Sequence, residues 1–188
     1  AQSDLLARAR ALHKQSPLID GHNDYPWALR ERDVGGDFAK ADITRSVPSL
    51  MTDIPRLREG GLGAQFWSVY VPATMQGKDA VRATLEQIDI VHRMVKRWPQ
   101  TFELALTADA AERAFKNGHI GSMIGMEGGH SIDSSLATLR QLYAVGARYM
   151  TLTHSANVPW ADSATDDPAH NGLTRFGEEV VHEMNRLG

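Results

Sequence analysis

The sequence predicts an α/β fold in which βα units repeat around a parallel sheet. Short apolar runs alternate with longer stretches of helical periodicity, which is the pattern that such units leave in a sequence. We predict strands at residues 17–24, 62–71, 102–107, 122–127 and 147–154. Five parallel strands can form an open doubly wound sheet, whereas a barrel needs eight. On the barrel interpretation, residues 1–188 are the N-terminal part of a single domain.

Helical segments are predicted before and between these strands. A first helix over about residues 3–15 precedes the first strand. Apolar side chains recur at steps of three and four residues from Val81 to Trp98, which predicts a long amphipathic helix ending at Pro99. A last helix carries its apolar face from Phe176 onward and ends at Gly188, where a C-terminal glycine cap belongs.

Candidate caps mark two shorter helices. Thr107 or Asp109 can accept hydrogen bonds at the start of one helix, and Ser134 or Ser135 can do so at the start of the next. Gly118 and Gly146 are placed to end these two helices.

Composition excludes several classes of protein. A chain of 188 residues with 42% hydrophobic composition can bury a core, and no window is apolar enough to span a membrane. The net charge of −3, with dispersed Lys and Arg, argues against a nucleic-acid partner. Zero cysteines exclude thiolate ligands and disulfides, so any metal must be held by His, Asp and Glu.

The N-terminal residues bear on the compartment. The chain begins with Ala1-Gln2-Ser3 and lacks an initial Met. This beginning fits export to the periplasm or the cell exterior after removal of a signal peptide, and it fits a trimmed chain equally well.

The first candidate ligands follow the first strand. His22 and Asp24 are two positions apart, so they share one face of the strand and can bind one ion at its C-terminal end. An isolated H-x-D pair is usually chance. Its position directly after an apolar strand makes a metal site the better interpretation.

The fourth and fifth predicted strands deliver further ionisable groups to the same edge. Glu127 follows an apolar run and precedes two glycines, which leave the backbone room to approach a ligand. A carboxylate here can bridge two cations. His154 ends the fifth strand, while His130 is expected to support the neighbouring turn.

Aromatic residues and one long loop complete the candidate site. Residues 155–174 form a loop of a length that is usually functional, and Trp160 and Asp162 lie within it. Trp27 and Tyr70 are candidate substrate-binding residues. For each of these aromatic side chains, packing against the fold is an equally good explanation.

Four stretches resemble the renal or membrane dipeptidase family, the zinc peptidases of peptidase family M19. They are Asp20-Gly21-His22-Asn23-Asp24, residues 63–70, residues 127–132, and residues 149–154 followed by Asn157 and residues 159–162. The resemblance covers nearly the whole chain. It implies a TIM-type (β/α)8 metal-dependent hydrolase barrel with an amidohydrolase-like site, of which this chain supplies about the first five βα units.

The resemblance also implies roles. His22 and Asp24 would bind one zinc, Glu127 would bridge two zincs, and His154 would contact the substrate and stabilise the tetrahedral intermediate. The expected reaction is hydrolysis of the peptide bond of a small dipeptide by a metal-bridging hydroxide. Two further histidine ligands, an arginine and an acidic residue would fall after Gly188, so the chain alone is expected to be inactive.

Other interpretations remain at this point. A related amidohydrolase could use the same metals on other small amides or β-lactams. A non-catalytic binding protein would fit if the chain truly ends at residue 188. The expected partner is a small dipeptide substrate, with a homodimer as a further option.

Overall fold

The computed structural model describes residues 2–31 and 37–188. Its helices and strands, in chain order, are α1 (Gln2–Gln15), β1 (Leu18–Asn23), α2 (Tyr25–Leu29), α3 (Ile54–Glu59), β2 (Leu62–Ser68), α4 (Gly77–Arg97), β3 (Phe102–Leu104), α5 (Ala108–Lys116), β4 (Ile120–Met126), a 3₁₀ turn (Gly129–Ile132), α6 (Leu136–Ala144), β5 (Ala147–Met150) and α7 (Arg175–Leu187). The predicted alternation of βα units is confirmed.

All five predicted strands form, and each of them ends earlier than predicted. β2 ends at Ser68 and β5 at Met150, whereas the sequence predicted strands to residues 71 and 154. After β2, Val69 and Val71 stay fully buried, and after β5 the amide of Thr151 still donates to the carbonyl of Met126 at 3.1 Å. Hydrophobic runs extend past the last backbone pairing because loop residues after a buried strand still pack against the core.

The described sheet is parallel wherever its pairing is resolved. The strand order is β1-β2-β4-β3, and β5 pairs with β4. β3 pairs with the first half of β4, from Phe102 opposite Ile120, and β5 pairs with the last residues, from Ile124 opposite Ala147. β3 is only three residues long, and the amide of Val69, just after β2, donates to Gly125 of β4 at 2.8 Å.

The chain divides into two compact units, and the first comprises Ala1–Trp67 and His92–Met123. Its core contains Trp67, which is fully buried and makes edge contacts with Tyr25 at 6.1 Å and with Phe102 at 5.7 Å between ring centroids. Small side chains fill the space around β4, since a Cβ on Gly121 would lie 3.2 Å from Cα of Ala111. The first strand is mostly exposed.

The second unit comprises Ser68–Val91 and Ile124–Gly188. The Ser135 side chain caps α6 by accepting from the amide of Thr138, which confirms Ser135 as the cap. α6 and α7 are joined by Arg140, whose Nη1 lies 3.1 Å from Oε1 of Glu183. Bonds from Arg186 and Arg140 lower the pKa of Glu183 to about 2.

Among the described helices, none combines the length and the apolar character needed to cross a membrane.

Candidate functional site

In the first unit, His22 and Asp24 form a pair at the end of β1. The strand ends at Asn23, and Asp24 is the residue before α2. Nε2 of His22 lies 3.1 Å from Oδ1 of Asp24, and their side chains are 42% and 56% exposed. The pair that the sequence predicted is therefore formed, with ligand-type atoms open to solvent.

Hydrogen bonds among the side chains of Asn23, Thr52 and Gln65 support the backbone that carries this pair. Nδ2 of Asn23 donates to Oγ1 of Thr52 at 2.9 Å and to Oε1 of Gln65 at 3.2 Å. Nε2 of Gln65 donates to the carbonyl of Asp20 at 3.2 Å and to that of Phe66 at 3.0 Å. Gln65 is 1% exposed, and its two bonds fix the backbone of β1 at Asp20 and that of β2 at Phe66.

Gln65, Thr52 and Asn23 were not singled out from the sequence as part of the site. The available signal was the buried polar residue itself: Gln65 interrupts an otherwise apolar strand. A glutamine there needs partners for its amide, and these are the carbonyls of Asp20 and Phe66 and the side chain of Asn23.

The segment that carries Thr52 is fixed by Asp53. The buried Asp53 carboxylate accepts from Nε of Arg56 at 2.8 Å, from the amide of Arg56 at 2.9 Å and from the amide of Val47 at 2.9 Å. These bonds, led by that of the Arg56 side chain, lower the pKa of Asp53 to about 2. Arg56 also donates to the carbonyl of Leu50 at 2.7 Å.

A cavity of about 470 Å³ lies beside the His22 and Asp24 pair. Its lining includes Tyr25, Met51 and Thr52, and Met51 is 92% exposed. Trp27 lies in α2 and is not among the described residues that line this cavity.

In the second unit, Glu127 follows directly after β4 and is half-buried. The Ser68 hydroxyl donates to its Oε2 at 3.0 Å, and Nε2 of His154 lies 3.3 Å from its Oε1. Ser68 is fully buried at the end of β2 and, like Gln65, was not singled out from the sequence. The structure thus brings together Glu127 and His154 as the sequence predicted.

His154 lies in the loop after β5, where three groups besides Glu127 contact it. Nδ1 of His154 lies 3.1 Å from Oγ of Ser155. The centroid of the His154 ring is 5.3 Å from the centroid of the Tyr70 ring, at an interplanar angle of 59°. Its carbonyl accepts from Oγ of Ser163 at 2.7 Å. Tyr70 is therefore placed beside His154, while Trp27 belongs to the first unit.

His130 packs against the backbone of Gly128. Gly128 has a φ of 119°, and any side chain there would collide with the His130 ring. Nε2 of the buried His130 donates to the carbonyl of Val71 at 3.0 Å, and burial lowers the pKa of His130. A buried histidine that donates to a backbone carbonyl supports the turn, as expected from the sequence.

The loop after His154 contains two anchored residues. Trp160 is 1% exposed and packs against Phe176 of α7 at 6.3 Å between ring centroids. The Asp162 carboxylate accepts from the amides of His170 at 3.0 Å and Gly172 at 2.9 Å. Of the two explanations considered for Trp160, packing is the one that the contacts support.

His22 and Asp24 in the first unit, and Glu127 in the second, each present atoms of the kind that ligate a metal ion.

Comparison with known proteins identifies relatives over nearly the whole chain. Residues 6–188 match the model of the membrane dipeptidase family, peptidase family M19. Dipeptidase 3 of Mus musculus is 47% identical over 191 residues, which cover 98% of this chain and 37% of that protein. Dipeptidase 3 of Homo sapiens is 45% identical, with 98% of this chain and 38% of that protein covered.

Solved structures share the fold at lower identity. A metallo peptidase from Rhodobacter sphaeroides, liganded with a phosphinate mimic of the dipeptide L-Ala-D-Ala, is similar with a TM-score of 0.75 and 22% identity, covering 91% of this chain and 56% of that chain. The probable dipeptidase PvdM from Pseudomonas aeruginosa is similar with a TM-score of 0.77 and 18% identity, covering 100% of this chain and 48% of that chain.

Proposed function

This chain belongs to the membrane dipeptidase family, peptidase family M19, and from that premise we propose that it forms part of a dizinc dipeptidase. The proposed reaction is hydrolysis of the peptide bond of a small dipeptide. The chain spans 37% of the length of mouse dipeptidase 3. Activity and substrate are therefore proposals for the intact protein, and we infer that residues 1–188 alone, as the N-terminal part of one barrel domain, are inactive.

The His22 and Asp24 pair at the end of β1 carries the proposal. An imidazole and a carboxylate are N and O ligands that zinc accepts, and the chain has no cysteine to compete. With metal–ligand bonds near 2.0–2.1 Å, two ligands of one tetrahedral ion lie roughly 3.3 Å apart. Nε2 of His22 and Oδ1 of Asp24 are 3.1 Å apart, which suits binding to a shared ion.

Zinc, when bound, would supply Lewis acidity, lowering the pKa of water so that hydroxide is available near neutral pH. Glu127 suits a bridging role because its two oxygens have four lone-pair sites. The Ser68 hydroxyl donates to Oε2, and Nε2 of His154 lies 3.3 Å from Oε1.

His154 is proposed to donate a hydrogen bond from Nε2 to the oxyanion that develops on the peptide carbonyl. Its ring is held between Tyr70 and the Ser155 hydroxyl. A pre-oriented donor of this kind stabilises the transition state without reorganising during the reaction. We propose Tyr70 and Trp27 as further substrate contacts.

A small dipeptide is the proposed substrate because two observations agree. The family is one of dipeptidases, and the similar structure from Rhodobacter sphaeroides holds a phosphinate mimic of a dipeptide. A phosphinate resembles the tetrahedral centre that forms when water adds to a peptide carbonyl.

Metal content of the intact protein tests the proposal. We expect two zinc equivalents after dialysis, and less than one in Glu127→Gln, because the amide is a weaker ligand at a position that serves both ions. Glu112→Gln changes an exposed glutamate of α5, paired only with Lys116 in the described structure, and should keep two equivalents. Metal-free wild-type protein, or an unchanged stoichiometry in Glu127→Gln, would contradict the dizinc assignment.

A further inference from the structure

The loop that follows His154 is cross-linked by the side chain of Asn157. Its Nδ2 donates to the carbonyl of Asp167 at 2.7 Å, and its Oδ1 accepts from the amide of Ser163 at 2.6 Å. The amide of Asn157 donates to Oδ2 of Asp166 at 2.9 Å. One asparagine therefore joins three separate points of the loop.

Two hydroxyls then connect this cross-link to the beginning of the loop. Oγ of Ser163, a residue that is 6% exposed, donates to the carbonyl of His154 at 2.7 Å. Oγ1 of Thr165 donates to the carbonyl of Ser155 at 2.9 Å. The two successive carbonyls at His154 and Ser155 are both held by side chains from ten or fewer residues downstream.

The far part of the loop is tied down independently. The Asp162 carboxylate accepts from the amides of Ala169, His170 and Gly172, and these bonds lower its pKa. The amide of Thr174 donates to the carbonyl of Trp160 at 3.0 Å, just before α7 begins. These bonds fix the middle and the end of the loop. They therefore also fix the position of Ser163, which donates to the carbonyl of His154.

We propose that Ser163 and Asn157 are positioning residues for His154. This inference rests on the proposed role of His154 as an oxyanion donor. Ser163 fixes the backbone of His154 directly, and Asn157 fixes Ser163. A catalytic donor that shifts by about 1 Å can cost up to about 100-fold in rate, so a bond on the backbone of His154 affects turnover even though Ser163 does not touch substrate.

An ordinary loop turn would show a different pattern. Hydrogen bonds that only close a turn join neighbours within the loop, as the bond from the amide of Asp167 to its neighbour Asp166 does. The bond from Ser163 spans nine residues and ends on the residue that carries the imidazole.

Three variants of the intact protein test this assignment. Ser163→Ala removes the donor to His154, Ser163→Thr keeps a hydroxyl, and Ser135→Ala removes a hydroxyl of the same kind from the cap of α6. We expect Ser163→Ala to lower kcat about tenfold with KM within about twofold of wild type. Ser163→Thr should recover most of kcat, and Ser135→Ala should keep it.

Hydrogen exchange provides a readout that does not depend on activity. In Ser163→Ala, amides of residues 155–165 should exchange faster, while those of α4 and β4 remain as in wild type. Ser135→Ala should accelerate exchange only around α6. If Ser163→Ala misfolds, Asn157→Asp replaces it, because this change keeps the acceptor for Ser163 and removes the donor to Asp167. It should lower kcat by a smaller factor, about threefold.

The outcomes separate the two proposals. If His154→Ala lowers kcat strongly while Ser163→Ala, or Asn157→Asp in its place, retains the kcat and exchange of wild type, the positioning role is wrong and the proposed function stands. If His154→Ala itself retains full kcat in an active enzyme, the role of His154 is wrong and this inference falls with it.

Discussion

The Ser68 hydroxyl donates a 3.0 Å hydrogen bond to Oε2 of Glu127. Ser68 is fully buried at the end of β2, so its direction is fixed by the strand and the carboxylate takes its orientation from it. Nε2 of His154 lies 3.3 Å from the other oxygen. Two side chains therefore orient the Glu127 carboxylate, as a preorganised site requires.

Replacing His154 by alanine should lower kcat and leave zinc content unchanged. Loss of one oxyanion donor costs about 10²- to 10³-fold in kcat. Kinetics with a dipeptide, together with metal analysis of the same sample, provides the measurement. His182→Ala, an exposed histidine of α7, is the control and should match wild type. A variant that loses zinc while keeping its fold would make His154 a metal ligand instead.

Replacing Gln65 by methionine should weaken zinc binding about 10- to 100-fold, as is typical when a residue that supports the ligands is removed. The change leaves the Asn23 amide without one acceptor and frees the carbonyl of Asp20. Titration with a competing chelator measures the affinity. Gln87→Met also removes a fully buried amide, in the second unit, and should lower stability without changing zinc affinity. Equal zinc affinities in the two variants would show that the network under β1 does not support the ligands.

Replacing Gly128 by alanine should destabilise the protein by about 2 kcal/mol or more. Its φ of 119° is strained for any side chain, at a cost of about 1–3 kcal/mol, and a Cβ would also displace the His130 ring. Thermal unfolding measures the effect. Gly21→Ala is the comparison, because a Cβ there meets no atom within 4 Å. Similar unfolding temperatures for the two variants would argue against close packing of His130 on Gly128.

Removing the Asp53 carboxylate should destabilise the protein in a pH-dependent way. The pKa of Asp53 falls from 3.8 to about 2 on folding, so its contribution of roughly 2 kcal/mol is fully present above pH 3.8 and is lost as pH falls toward 2. The difference in unfolding free energy between wild type and Asp53→Asn should therefore shrink over that interval. Asp79→Asn, at an exposed aspartate of α4, should show little difference at any pH. A constant difference for Asp53→Asn between pH 5 and 2 would contradict the assignment.

The sequence predicted the strands and the proximity of His22 to Asp24 well, because both depend on local patterns. An apolar run followed by His22 and Asp24 is visible without the fold, and so is Glu127 before two glycines. Ser68 and Gln65 could not be assigned partners in this way, since their bonds span 59 and 45 residues. Long-range hydrogen bonds of buried polar groups depend on the assembled sheet, and the sequence shows only that such groups need partners.

The loop after β5 illustrates the same limit. The length of this loop predicted that it has a functional role. The hydrogen bonds that link Asn157 to Ser163 and Ser163 to His154 depend on backbone turns, which the periodicity of side chains does not show. The explanation of Trp160 was left open for the same reason, because packing and substrate contact require the same type of side chain.

The exposed position of Met51 has a consequence for the redox chemistry of this protein. The chain contains no cysteine, and its other six methionines are buried or half-buried, so the thioether of Met51 is the sulfur most accessible to peroxide. Oxidation to the sulfoxide would place a polar oxygen at the edge of the cavity beside His22 and Asp24. Such damage would alter the approach to that cavity while the hydrophobic core stayed intact, and methionine sulfoxide reductases could reverse it.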